Sequence, residues 1–286
     1  MNEAATPFQR FFRILVTVGP GGLWLFLFVL LPSLLVLLAS FMTRGPYGEL
    51  TGPLGLHNYL RLLESPYLQA FAQSLWVGVW ATLISVLLGY PLAFYIARHP
   101  RRDLLLLLLL IPFFTNFLIR IYAWLVLLQK EGVVNAFLQA FGLGPFALYP
   151  SFAAVLLATV YTFLPFFVLP VYASVERTDW QLLEAAYDLG ARPFKAFFHA
   201  ILPQTYPGLF AGSALVFIPA MGTFVVADLL GAGRVVLIGN LIQQQFGISR
   251  DWAFGGALSI FLMGFVLLAL YLYARAQGER GFRELV

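Results

Sequence analysis

A chain of 286 residues that is 61% hydrophobic and only 10% charged has too little polar surface to be solvated as a globule, because soluble domains carry roughly 25% charged residues. Its mean hydropathy of +0.86 makes the bilayer its solvent. The formal net charge of +4 resides on Lys and Arg in short loops between apolar runs, which fits membrane orientation better than a nucleic-acid face. With no Cys and three scattered His, disulfides, thiolate metal sites and clustered metal ligands are not expected, and neither is a cofactor.

A spanning helix needs about 20 apolar residues, since ~30 Å of hydrocarbon is crossed at ~1.5 Å per residue. Six segments qualify: 23–41, 73–97, 104–128, 152–175, 208–230 and 253–274. They predict an all-α, polytopic membrane protein with one transmembrane domain over 1–286. The first run follows Arg10 and Arg13 and lacks a small-residue cleavage pattern, so a retained first span is expected. Gly45-Pro46-Tyr47-Gly48 and Thr51-Gly52-Pro53 punctuate the connection after it. Residues 56–63 and 133–141 carry apolar residues at helical spacing, which suits either short surface helices or amphipathic linkers. Pro91, Pro112, Pro165, Pro170 and Pro219 interrupt the apolar runs. They predict either ordinary kinks or kinks that open a central cavity.

The basic residues orient the spans. With the N-terminus inside, Arg10, Arg13, Arg98, Arg101, Arg102, Arg177, Arg192, Lys195, Arg275, Arg280 and Arg283 are cytoplasmic. Only Arg44, Arg61, Lys130, Arg234 and Arg250 are outside, and Arg120 falls within a span. This asymmetry predicts that both termini are cytoplasmic. It also places the polar segment 177–207 inside.

That segment reads as two short helices around a sharp turn. Thr178 or Asp179 can cap the first, and Asp179 suits the positive end of its dipole. Leu182, Leu183, Ala185, Ala186 and Leu189 continue it, and Gly190 can take the left-handed conformation that ends it. Pro193 fits the first turn of a second helix, which Pro203 and Pro207 are expected to close.

The run Glu184-Ala185-Ala186-Tyr187-Asp188-Leu189-Gly190, followed by Leu202-Pro203, resembles the Glu-Ala-Ala coupling loop of ABC importer permeases. One position departs mildly: the family often has Ile two residues before Leu-Pro, where this chain has Ala200 with Ile201 adjacent. The resemblance implies the type I importer permease fold and ATPase-coupling roles for Glu184, Ala185, Ala186, Asp188, Gly190, Leu202 and Pro203. It implies a second homologous permease, two cytoplasmic ATPase subunits and an extracytoplasmic binding protein as partners. The chain contains no glycine-rich phosphate loop of the G-x-x-x-x-G-K-[ST] kind, so ATP is expected to be bound elsewhere and the chain itself is not an enzyme.

The run from Pro112 to Trp124 with Gly132 and Asn135, the run Pro219-Ala220-Met221-Gly222, and Asp228-Leu229-Leu230-Gly231 with Ile238-Gly239-Asn240 are similar to spermidine/putrescine importer permeases. The same machinery importing ferric iron, an amino acid derivative or a phosphonate is the alternative. An ion-driven secondary transporter is a further one, which would need buried ionisable residues near the midplane. A polyamine path calls for acids, carbonyls and aromatic faces. Asp228 is the one acid well within an apolar run, near its outer end. It either faces the cation's route, solvates the helix end, or pairs with Arg234. Asn116, Tyr122, Trp124 and Tyr161 are candidate lining groups, with core packing as the other reading of each. Arg120 is expected to snorkel away from the path.

Overall fold

The structure is a computed structural model that describes residues 16–17 and 19–276. Arg10, Arg13, Arg280 and Arg283 of the charge argument lie outside the described residues. The elements are α1 (Gly19–Phe41), a hairpin of β1 (Thr43–Arg44) and β2 (Leu50–Thr51), α2 (His57–Arg61), α3 (Ser65–Arg98), α4 (Arg102–Leu110), α5 (Phe117–Leu128), α6 (Val133–Ala140), α7 (Phe152–Glu176), α8 (Gln181–Asp188), α9 (Pro193–Gly222), α10 (Ile238–Gly247) and α11 (Trp252–Ala276). The stretches 56–63 and 133–141, expected as short surface helices or amphipathic linkers, contain the short helices α2 and α6. The chain divides into two compact units.

One unit comprises residues up to Glu64 together with Gln244–Gly264. The antiparallel hairpin pairs Thr43 with Thr51. The buried amide of Asn58 fastens α2 to the end of α1, donating to Ser40 O and Met42 O at 2.9 Å each. Asp251 is 4% exposed. It accepts from Arg61 at 3.0 Å and from the Phe254 amide at 3.1 Å, which caps the start of α11.

The other unit comprises Ser65–Gln243 and the residues from Phe265 onward. Its core is a three-helix packing in which α7 lies against both α3 and α9, and α3 lies against α9. Between helices in lipid, burying apolar side chains gains little over leaving them among acyl chains, so close backbone approach carries the association. Gly208 and Gly212, four residues apart on α9, face α7. A Cβ at Gly212 would sit 2.7 Å from Phe167 O. Val160, Phe167, Val168, Val171 and Val175 of α7 fill the space around that contact.

Two expected spans differ in the structure. The third, expected as one helix over 104–128, is broken: Arg102–Phe114 and Phe117–Ala140 are bent by 89°. Pro112 starts a 3-10 turn at Ile111–Phe114, Thr115 is extended, and Asn116 restarts the helix by accepting from the amides of Leu118 (2.8 Å) and Ile119 (3.4 Å). A proline followed by a polar N-cap just before an apolar run was a legible break signal. The fifth span starts much earlier than residue 208, because the helix is not closed by Pro203 and Pro207. A π turn at Phe197–Ile201, where the Leu202 amide reaches Phe197 O, precedes Pro203 and lets the axis pass through it. The same span ends at Gly222, so Asp228 belongs to a separate π-helical turn, Ala227–Gly231. The other long apolar helices are Gly19–Phe41, Ser65–Arg98, Phe152–Glu176 and Trp252–Leu272, the second of them starting at Ser65 rather than at residue 73. Substituting Gly212→Val should cost ~2 kcal/mol or more by overpacking against Phe167. The checks are a lowered unfolding temperature in detergent and no comparable loss for Gly264→Val, where nothing lies within 4 Å of the added carbon.

Candidate functional site: the elbow between α7 and α9

The helix α8 starts where Asp179 accepts from the Gln181 amide at 3.0 Å. Thr178 does not cap it; its hydroxyl bonds back to Ser174 O at 3.2 Å. At the other end the chain forms a full Schellman closure: the Gly190 amide reaches Tyr187 O at 2.8 Å and the Ala191 amide reaches Ala186 O at 2.9 Å. Gly190 has φ +79°, the left-handed region expected for it. Pro193 then opens α9 in its first turn, with Arg192 extended before it.

This arrangement leaves α8 with no buried residue. Glu184, Ala185 and Asp188 are exposed, and Ala186 is half-buried. Apolar groups stand out beside them: Leu182 is 51% exposed, Leu189 89% and Phe194 76%. The short helix thus exposes small residues, two acids and bare apolar side chains together. Leu202 is half-buried and Pro203 exposed, and both lie on α9 rather than on α8. They lie in the third turn of α9, where Leu202 O accepts from the Thr205 hydroxyl at 2.9 Å.

Two residues that sequence reasoning passed over fasten the elbow to the membrane core. Gln204 bridges its two arms: its Oε1 accepts from the Asp179 amide at 2.9 Å and its Nε2 donates to Ala200 O at 2.6 Å. The Trp180 ring meets Phe94 edge-on at 5.8 Å, and the Arg98 guanidinium lies over it at 4.4 Å. Phe94 in turn contacts Phe197 at 6.0 Å. Trp180 thus joins the elbow to the end of α3 and the start of α9. A tryptophan at a loop–helix junction was the available signal.

The candidate path residues do not form one cluster. Trp124 and Tyr161 meet edge-on at 5.5 Å, half-buried. Tyr122, two residues from Trp124 and 52% exposed, points away from it. Asn116 is the exposed N-cap of α5. Asp228 is exposed and accepts from the amide of buried Asn240, not from Arg234, whose guanidinium donates to Pro150 O at 3.4 Å. Asn240 also donates to Phe224 O at 3.0 Å and accepts from the Leu237 amide at 2.9 Å. It therefore holds the Asp228 turn against the following loop. Among the described residues no group of three or more His, Cys, Asp or Glu is placed to hold a metal.

Replacing Trp180 by Ala should loosen the elbow from the core at a cost of ~2 kcal/mol. Limited proteolysis between 177 and 192 should quicken several-fold while the spans stay protected.

Residues 85–280 match the family model described as binding-protein-dependent transport system inner membrane component. The chain is 46% identical over 265 residues, 91% of its own length and 93% of the relative's, to the spermidine/putrescine transport system permease protein PotB of Haemophilus influenzae. It is 45% identical to the Escherichia coli protein of the same name, covering 88% of this chain and 94% of that one. Its fold matches a membrane chain in the crystal structure of a bacterial alginate ABC transporter in complex with alginate pentasaccharide-bound periplasmic protein. That match has TM-score 0.68 and 18% identity, and it covers 96% of each chain. The Glu-Ala-Ala motif, the set of apolar helices and these likenesses agree: the chain is a multi-pass inner-membrane permease that belongs to the binding-protein-dependent transport system inner membrane component family.

Proposed function

We propose that this chain is the permease subunit of an ATP-driven importer of polyamines such as spermidine and putrescine, received from an extracytoplasmic binding protein. The observation that carries the reading is the 46% identity, along nearly the whole length, to a permease named for those substrates. The permease has no phosphate-binding loop of its own, so hydrolysis falls to separate ATPase subunits. A second, homologous permease completes the path between the two membrane chains. Both termini and the elbow are cytoplasmic, as the basic residues favour.

In this reading the ATPase grips α8. Ala185 and Ala186 permit close approach, and Glu184 and Asp188 supply charge-assisted contacts. Closure of the ATPase pair pushes the elbow. Because α9 runs unbroken from Pro193 to Gly222, a push at its cytoplasmic end travels along one rigid rod to the break at Thr223. The Gln204 bridge and the Trp180 contacts keep the elbow from folding aside. At the outer end the rod hands over to the turn that carries Asp228, an exposed acid suited to a multivalent cation. Trp124 and Tyr161 offer aromatic faces, with Asn116 and Tyr122 on the exposed side of the third span.

The test is uptake of labelled spermidine or putrescine into vesicles holding the assembled complex, with its binding protein and ATP. Saturable uptake, competed by unlabelled polyamine, is expected. Hydrolysis stimulated by some other loaded binding protein, with polyamines inert, would keep the machine and discard the substrate. Glu184→Lys should cut uptake by more than tenfold while the protein inserts normally. At Gly190, where φ is positive but no neighbour crowds an added carbon, Asn should be tolerated, and Pro should abolish coupling. Unaltered uptake in well-expressed Glu184→Lys would sink the coupling assignment.

A further inference from the structure

We propose that α6 and the loop after it, Val133 to Ala147, lie in the membrane–water boundary, with the side chains of Val133, Phe137 and Phe141 set among lipid acyl chains. The inference rests on the membrane class of the chain and is independent of its cargo.

The exposed side of this segment is apolar almost throughout. Val133 is 64% exposed, Phe137 64% and Phe141 69%. They recur every four residues, which puts them along one side of α6, and the Phe137 and Phe141 rings meet at 5.0 Å. Leu143 and Phe146 continue the bare surface into the loop. Asn135 is buried, so Gln139 is the one polar side chain exposed from Val133 to Ala147. No Asp, Glu, Lys, Arg or His occurs from Gly132 to Val175. The connections 42–64 and 223–251 differ: Arg44, Glu49 and Glu64 stand in the first, and Asp228, Arg234 and Arg250 in the second. In water, residues 133–147 would form a bare apolar patch of the kind that marks a contact with a membrane or a protein.

The backbone suits a medium poor in water. Asn135 closes the loop onto the helix: its Nδ2 donates to Gln129 O at 3.1 Å and to Phe146 O at 2.9 Å, and its Oδ1 accepts from the Phe146 amide at 2.9 Å. The amides of Gly142 and Leu143 turn back to Gln139 O and Leu138 O, at 2.9 and 3.0 Å. Pro145 has no N–H to satisfy. Polar groups that find partners inside the segment make little demand on solvent.

Packing sets the depth. The helix α7 has 25 residues, a rise of about 37 Å, against a hydrocarbon core ~30 Å thick. Its last residue, Glu176, holds the ion pair with Arg102, which keeps that end at one boundary, so the first turn reaches the other. Ala154 and Val155 of the first turn share an apolar cluster with Leu128 of α5, and Val134 of α6 packs against it. The helix α6 is thereby held level with the edge of the hydrocarbon. Interfacial helices of this kind bury an apolar face ~5–10 Å into the boundary between headgroups and acyl chains. A protein that docks and leaves needs polar groups around an apolar centre, and beyond Gln139 this surface offers none. Because α5 leads directly into α6, lipid contact there anchors this end of the broken third span.

The experiment uses the assembled transporter in nanodiscs of phosphatidylethanolamine and phosphatidylglycerol. The chain has no Cys, so single sites can carry a nitroxide. Ala140→Cys is exposed on the side of Phe137 and leaves both phenyl rings in place. Glu131→Cys, at an exposed charged position just before α6, is the water reference. Spin relaxation by dissolved oxygen, relative to that by a water-soluble nickel chelate, should be several-fold higher at residue 140 than at residue 131. Equal ratios put α6 in water and overturn the proposal. Relaxation by neither reagent at residue 140 overturns it too, because protein then covers the surface. If Ala140→Cys fails to assemble, Ala136→Cys, also exposed on this side, gives the same reading.

Discussion

In a bilayer, apolar side chains gain almost nothing by leaving lipid for protein, so helices stay together where their backbones can come close. In this chain that condition is met where Gly208 and Gly212 of α9 approach the carbonyl side of α7. The rest of the larger unit is arranged around that contact. It fixes α9 along its length, it gives α7 a face of Val and Phe to fill the flanks, and it leaves α3 to close the third side. A rod clamped in this way moves as a body. The alternative, a helix held loosely among acyl chains, would bend where it was pushed.

The prolines show how the same residue type does opposite things in different surroundings. Pro112 ends regular helix because Thr115 and Asn116 follow it, and Asn116 offers a ready cap for a new helix in a new direction. Pro203 and Pro207 do not end theirs. The wide turn at Phe197–Ile201 absorbs the missing hydrogen bond, and both prolines lie on the exposed side. The outcome is a broken third span and an unbroken fifth one. A break at Pro203 would have separated the elbow from the spans; continuity there joins them mechanically.

Charge is handled sparingly. Arg102 and Glu176 pair at helix ends, and Asp228 is matched by the amide of Asn240. Arg120 lies over the phenyl rings of Phe113 and Phe117, and among the described residues its Nε and Nη1 donors have no acceptor.

The sequence by itself determined the membrane class, the number and rough position of the apolar segments, and the helix–glycine–helix elbow with its family. Each of these is written in local pattern: run length, a polar stretch between runs, glycine and proline at fixed offsets. Only the tertiary structure decided whether a proline breaks or passes, which partner Asp228 takes, and that Trp180 and Gln204 anchor the elbow. Those outcomes depend on what lies across the gap from each residue, and a neighbour 25 or 86 positions away in the chain leaves no trace in local periodicity. The position of Arg120 was likewise open, since snorkelling and burial between Phe113 and Phe117 differ only in where the third span bends.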